Sequence, residues 1–478
     1  MNILFVASES APFVKSGGLG EVIGSLPKQI KKKGADIRVI LPKYGDIPEK
    51  FKNKMTTKTE FTIQLDWRNQ YCGVQELQEN GIHYYFIDNE FYFKRPGLYG
   101  YGDDGERFVY FNKAVLEAIP HLDFIPDIIH CHDWQSGLIP VCLKAQYADK
   151  PMYRNIKTIF TIHNLKYQGV FPKPLLKSLT DLDDSYFAND SLEFFDQANC
   201  MKGALIYSDV ITTVSHTYAE EIQTSDCGEQ LEGVIEKRKK DLYGILNGID
   251  VKNYNPVTDP NVRVKYQNSL FNKRLNKERF QKQIGLPVNK DIPMIGMVSR
   301  LVEQKGYDLV AHVLDEILEM DIQLVILGTG EKKYELFFED AAKRNSNKMV
   351  TIIKFDEVLA RKIYSSSDMF LMPSLFEPCG IGQLLSYQYR AVPIVRETGG
   401  LKDTVKPYNQ YSGEGTGFTF VNYNAHDMLF TIQRAVECYH NKEVWHSIIN
   451  SIKKVNVSWD KPAREYISLY KQLVFVLN

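Results

Sequence analysis

The sequence predicts an α/β protein built of two doubly wound domains. Short continuous apolar runs, the mark of strands buried on both faces, alternate along the chain with segments of helical period. Turn residues gather between Ile245 and Pro260, and the alternation restarts beyond them. Glycines or charged residues stand repeatedly where strands end, the rim at which open α/β sheets bind ligands.

In the first half, Ile3–Ala7 is a buried strand, followed by a loop with Pro12 and the run Gly17-Gly18-Leu19-Gly20. Leu19, Val22, Ile23, Leu26 and Ile30 recur at helical spacing, so a helix is predicted over Leu19–Lys33. Backbone N–H groups at such a helix start suit a phosphate or a polarised sugar oxygen, and glycines let the ligand approach. The dinucleotide fingerprint is not matched. The glycines fall at Gly17, Gly18, Gly20 and Gly24, and the strand Ile37–Leu41 ends in Pro42-Lys43 where a ribose-binding acid belongs.

Phe61–Leu65, Tyr71–Leu77 and His83–Ile87 read as a meander beside the main sheet, and Gly97–Glu106 as a mobile or ligand-covering loop. Phe111–Ile119 reads as a helix. Ile128–Cys131 is a further buried strand, with His132-Asp133-Trp134 at its end. His130 and His132 are set aside as a metal pair, on the expectation that their side chains leave opposite faces of the strand; Asp133 is the ligand-facing candidate. Lys157–Ile162 is a strand tipped by His163-Asn164. Val210–Val214 is another, and Ser215 is the expected cap of a helix over Tyr218–Gln223.

The second half repeats the logic. Met294–Val298, Gln323–Leu327, Val350–Ile353, Met369–Met372 and Val392–Val395 are strands; Tyr307–Glu319, Lys332–Arg344, Leu359–Ser366 and Gln383–Tyr389 are helices. Four strand ends carry Arg300 with Lys305, Gly328 with Gly330, Glu377 on a turn stiffened by Pro373 and Pro378, and Gly399 with Gly400. A lone loop glutamate is most often solvated. Two cations, two glycine loops and one carboxylate on a single rim instead suit a sugar diphosphate. Trp459–Leu477 is an amphipathic helix free to dock on either half.

Composition narrows the partners. Lys+Arg 58 against Asp+Glu 59 leaves a net charge of -1, so no global field favours nucleic acid or anionic membrane. Seven scattered cysteines without a CxxC pair indicate neither a disulfide framework nor a zinc site. With no basic leader and no apolar run of spanning length, a cytoplasmic protein is expected.

Seven segments carry a family resemblance: Lys15–Leu19, His132–Trp134, Thr161–Asn164, Gly244–Asp250, Ser299–Leu301 with Gln304–Gly306, Phe376–Gly380 and Arg396–Leu401. In this order, along essentially the whole chain, they resemble bacterial glycogen synthases and plant starch synthases. These are retaining glucosyltransferases with two Rossmann-like domains facing across a cleft (GT-B architecture) and a C-terminal helix crossing back.

The resemblance implies a domain over 1–248 for the glucan and part of the glucose, a domain over 249–456 for the nucleotide-sugar donor, and a helix over 457–478 packed on the first. It implies glucose transfer from ADP-glucose to the 4-hydroxyl of glycogen or another α-1,4-glucan. No metal or other cofactor is implied. Lys15 and the Gly17 and Gly18 amides would face the diphosphate and glucose. Arg300 and Lys305 would hold the phosphates, Asp133 and His163 the glucose, and Glu377 would stand by the sugar. Gly328, Gly330, Cys379, Gly380, Thr398, Gly399 and Gly400 complete the donor set, and Phe355 stands where a tyrosine is usual near the adenine. Domain closure is expected to be required. Glu21, His216, Lys354, Gly382 and Arg390 depart from the family pattern; Arg390 replaces a glycine and would be strained if its turn needs a positive φ. The alternatives are a UDP-glucose-dependent relative of the same architecture and a non-catalytic glucan-binding paralogue.

Overall fold

The computed structural model describes residues 1–475; Val476, Leu477 and Asn478, the end of the predicted last helix, lie outside them. The chain divides into two compact units. One joins Met1–Asn247 to the chain from Trp459 onward, and the other is Gly248–Ser458.

The first unit holds β1 (Asn2–Val6), β2 (Asp36–Pro42), β3 (Thr56–Leu65), β4 (Arg68–Glu79), β5 (Ile82–Asp88), β6 (Ile128–His132), β7 (Lys157–Ile162), β8 (Val170–Pro172), β9 (Glu193–Phe194), β10 (Gln197–Asn199), β11 (Val210–Thr213) and β12 (Leu242–Gly244). Nine of these form one sheet in the order β12-β11-β7-β6-β1-β2-β5-β4-β3. The segment expected to lie beside the sheet is therefore part of it: β5 pairs parallel with β2, and β4 and β3 follow antiparallel as the edge. The polar outward residues of β3 reflect that edge position, which the sequence pattern does not distinguish from a detached meander. The remaining three strands form a small sheet of their own.

Strand order reverses between β1 and β6, so the loops after them flank the switch point where open sheets take ligands. The helix Gly18–Lys31 leaves that point and buries Leu19, Val22, Ile23, Leu26 and Ile30, the predicted apolar face. Burying each large side chain of this kind stabilises by about 1.5–3 kcal/mol. The loop 97–106 is tied down. Arg95 grips both oxygens of Asp103 at 2.7 and 2.8 Å, the Gly100 amide donates to Asp104 at 2.8 Å, and a helix already begins at Asp104. The helix Asp460–Phe475 packs into the same core through Ala463, Tyr466, Tyr470 and Leu473.

The second unit holds β13 (Met294–Val298), β14 (Gln323–Gly328), β15 (Met349–Ile353), β16 (Met369–Met372), β17 (Val392–Arg396) and β18 (Phe418–Phe420). Their order is β15-β14-β13-β16-β17-β18 and every pairing is parallel. All carboxyl ends thus share one rim, with the switch point between β13 and β16. The predicted helix over Tyr307–Glu319 is broken into Tyr307–His312 and Leu314–Glu319 by Val313, whose φ of -119° and ψ of 26° are not helical.

Arg390 follows the helix Gly382–Gln388 with a φ of 61°, the left-handed region, so the anticipated strain is present. Its Nη1 donates to the Tyr387 carbonyl at 2.7 Å, while its Nε is buried without a partner among the described residues. Arg390→Gly is expected to remove more strain than hydrogen bonding. Calorimetry should show the unit melting about 2–4 °C higher, the size of a ~1 kcal/mol gain in a unit of this length.

Candidate active site

In the second unit the chemistry gathers at the switch point. The loop after β13 tightens into a one-turn helix, Glu303–Lys305, that aims Lys305 at the turn after β16. Lys305 Nζ donates to Glu377 Oε2 at 2.6 Å, and Ser374 Oγ donates to the same oxygen at 3.0 Å. Glu377 is 6% exposed, so the solvated-loop reading fails. A carboxylate this buried needs its cation and hydroxyl to offset desolvation. Arg300 lies exposed on the same loop and has no side-chain partner among the described residues.

The glycines of this rim have a structural reason beyond ligand access. A Cβ at Gly306 would sit 2.1 Å from the Pro373 carbonyl oxygen, one at Gly399 2.0 Å from that of Glu377, and one at Gly400 2.1 Å from that of Cys379. Gly328 and Gly330 meet the Ser299 and Leu301 carbonyl oxygens at 1.9 and 2.2 Å in the same way. They let neighbouring loops touch backbone to backbone, which fixes the Glu377 turn. The Gly400 amide donates to the Glu377 carbonyl at 3.1 Å, and the Gly330 amide to Glu335 Oε1 at 3.0 Å.

Gln383, which sequence reasoning missed, is wholly buried and donates Nε2 to the Cys379 and Gly380 carbonyls, both at 3.0 Å. Gly380 takes a φ of 74°, and a Cβ there would press on Gln383 Oε1. Thr398 and Cys379 are buried beside this turn. Phe355 stands apart on the loop after β15, 74% exposed, next to a Lys354–Asp356 ion pair of 2.7 Å.

In the first unit Lys15 pairs with Glu21, one turn into the helix that Gly17 caps. Gly17 has open space where a side chain would point, and Gly18 is exposed. Their loop is anchored by Glu9, a second missed residue. Glu9 is 4% exposed and accepts hydrogen bonds from the Ser16 amide and, at 3.1 Å, the Ser16 hydroxyl. Burial raises its carboxyl above the usual range against those bonds. A Ser-Glu-Ser run directly after an apolar strand was the available signal.

Asp133 adopts a φ of 57° and ψ of 175°, a sparsely populated conformation for a residue with a side chain, of the kind that clusters at active sites. Its Oδ1 accepts from the His163 amide at 2.8 Å, which ties the ends of β6 and β7 together. Burial pushes its carboxyl up to about 7, against the pull of the His163 and Asn164 amides. Trp134 packs on Phe108 and Phe171 and so belongs to the core.

The expectation that His130 and His132 leave opposite faces is wrong. Residues two apart on a strand share a face, and the two rings stack with centroids 4.2 Å apart. His130 Nδ1 bonds the Tyr470 hydroxyl at 2.8 Å and its Nε2 the Thr161 hydroxyl at 2.6 Å, both wholly inside the fold. His132 Nδ1 meets His163 Nε2 at 3.0 Å. Among the described residues no group of three or more His, Cys, Asp and Glu is placed to hold a metal ion, and no helix is long and apolar enough to cross a membrane.

The comparisons with known proteins agree along the whole chain. Residues 2–237 match the starch synthase catalytic domain, and residues 276–455 match glycosyl transferases group 1. The glycogen synthase of Desulforamulus reducens is 52% identical over 476 residues, covering 99% of this chain and 99% of that protein. That of Bacillus cereus is 52% identical over 475 residues, covering 99% of this chain and 100% of that one. Among solved structures, the catalytic domain of starch synthase IV from Arabidopsis thaliana, bound to ADP and acarbose, superposes with a TM-score of 0.93 at 32% identity, covering 99% of each chain. The two Rossmann-like sheets, the order of the rim residues and this identity lead to one conclusion: the chain belongs to the glycogen synthase and starch synthase family of glucosyltransferases, on the GT-B fold.

Proposed function

We propose that the enzyme transfers glucose from ADP-glucose to the non-reducing 4-hydroxyl end of an α-1,4-glucan, with retention of configuration and release of ADP. The observation that carries this reading is the 52% identity to glycogen synthases across 99% of the chain. The ADP bound by the 32% identical starch synthase favours an adenine donor.

In this reading Arg300 and Lys305 hold the diphosphate. Cations placed in advance stabilise the charge that grows as the anomeric C–O bond breaks and the diphosphate leaves with the bonding pair. An Arg does so through two parallel donors. Lys15 with the Gly17 and Gly18 amides faces the diphosphate and glucose, and Asp133 and His163 hold the sugar. Glu377, paired with Lys305 and Ser374, lies beside the oxocarbenium-like centre. Gly328, Gly330, Cys379, Gly380, Thr398, Gly399 and Gly400 shape the donor surface, and Phe355 stacks on the base. The acceptor 4-hydroxyl attacks the anomeric carbon on the face the diphosphate leaves, and its proton passes to the departing diphosphate. The whole is expected to work in the cytoplasm on soluble glucan.

The test is nucleotide release from ADP-glucose and from UDP-glucose with glycogen present. Release of ADP, with new chain digestible by an α-1,4-specific amylase, is the expected result. Release of UDP alone overturns the donor. Glycogen binding without release from either sugar overturns the activity.

A further inference from the structure

His132 carries a buried nitrogen that none of the described residues satisfies. Its side chain is wholly buried, and Nε2 has no hydrogen-bond partner among the described residues. Its other nitrogen, Nδ1, lies 3.0 Å from His163 Nε2. Phe5 and His130 close over the ring, with centroids 4.8 and 4.2 Å away. A neutral imidazole has one N–H to place. Placed on Nε2 it would be a buried donor with no acceptor, and orphaned buried N–H groups are rarer than under-used acceptors. The proton therefore belongs on Nδ1, where it donates to His163 Nε2.

That choice propagates. A ring nitrogen that accepts is unprotonated, so His163 must carry its own proton on Nδ1. Burial pushes both imidazoles down, His163 to about 3 and His132 well below its ordinary value, so neither ring takes a second proton at neutral pH. His163 is only half-buried, and its Nδ1 has no protein partner among the described residues.

We propose that His132 is a positioning residue that locks His163 in its Nδ1–H form, so that His163 offers a fixed, neutral donor to an oxygen of the transferred sugar. The use of that donor rests on the reading of His163 as a sugar contact; the lock itself does not. An unlocked ring would divide between two tautomers, one of which presents a lone pair to the ligand instead of a hydrogen.

The test compares His132→Leu with His132→Asn in the full chain. Leucine removes the donor, whereas the asparagine amide nitrogen falls close to the place of Nδ1 and keeps it. Histidine-selective 15N NMR, with His163 assigned by its loss in His163→Gln, reads the tautomer directly. The expected spectra show Nδ1–H in the wild type and in His132→Asn, and a shift toward Nε2–H in His132→Leu. Turnover at saturating substrates should fall about 10–100-fold in His132→Leu, the range seen when outer partners that orient metal-bound imidazoles are removed. His132→Asn should recover most of it, although both variants lose core packing. Nε2–H on His163 in the wild type overturns the lock. Equal slowing by both variants reduces His132 to a packing residue. Wild-type turnover in His163→Gln overturns the sugar contact, while the spectra still decide the lock.

Discussion

Lys305→Ala is expected to slow nucleotide release about 10²–10³-fold, the usual consequence of removing one preorganised donor from developing charge. Two effects of the substitution act together. The diphosphate loses one of the cations proposed to hold it, and Glu377, 2.6 Å away, loses its counter-charge while 6% exposed. Among the described residues Ser374 alone remains on that oxygen. Lys305→Arg separates the effects, because it keeps the charge but cannot keep a compact ammonium's geometry at the same point. Steady-state kinetics with saturating glucan, read beside thermal unfolding, is the measurement. If Lys305→Ala turns over within a few-fold of wild type, the diphosphate role assigned to Lys305 is wrong.

The largest effect on stability is expected far from the site, at Lys277. Its ammonium is wholly buried. It donates to Asp368 Oδ2 at 2.7 Å, the Ile292 carbonyl at 2.9 Å and the Tyr439 hydroxyl at 3.0 Å. Asp368 also accepts from the Met294 amide at 2.9 Å, so the pair links the helix Leu270–Ile284 to the amino ends of β13 and β16. Lys277→Ala leaves a buried carboxylate without its cation. The second unit should lose about 3–5 kcal/mol, as measured by urea unfolding. Replacing both partners together, Lys277→Met with Asp368→Leu, should recover a large part of that loss, because no charge is then stranded.

Lys277 also shows where the sequence stops being readable. The helix that carries it buries Lys273, Asn276, Lys277, Phe280 and Gln281, so its inward face is mostly polar and no apolar stripe announces it. The sequence pattern predicts no element over that stretch. The strands of the second sheet were legible for the opposite reason. Parallel strands covered on both faces leave unbroken apolar runs, and the strands Met294–Val298 and Met369–Met372 coincide with the predicted ones. At the site, charged residues at strand ends pointed to Glu377 and Lys305. Gln383 and Glu9 stayed hidden, because what makes a polar residue worth burying is a carbonyl or amide that folding brings to it. The two histidines of β6 were misjudged by a period of one residue. With the correct period their shared face follows from spacing, whereas the His163 contact needs the pairing of β6 with β7.

The first unit is made of two stretches of chain that are far apart in time as well as in sequence. Its core needs Tyr466 and Tyr470, and His130 finds its Nδ1 partner in the Tyr470 hydroxyl. Between Asn247 and Trp459 the ribosome must add the roughly 200 residues of the second unit, which takes about 10–40 s at ordinary synthesis rates. During that interval the nascent first unit lacks the helix Asp460–Phe475 that packs against the helix Gly18–Lys31, and the second unit can close once Val457 and Ser458 reach Ile249. Order of completion is thus the reverse of order of synthesis. A chaperone that reads exposed apolar surface has its longest opportunity on the half of the molecule that left the ribosome first.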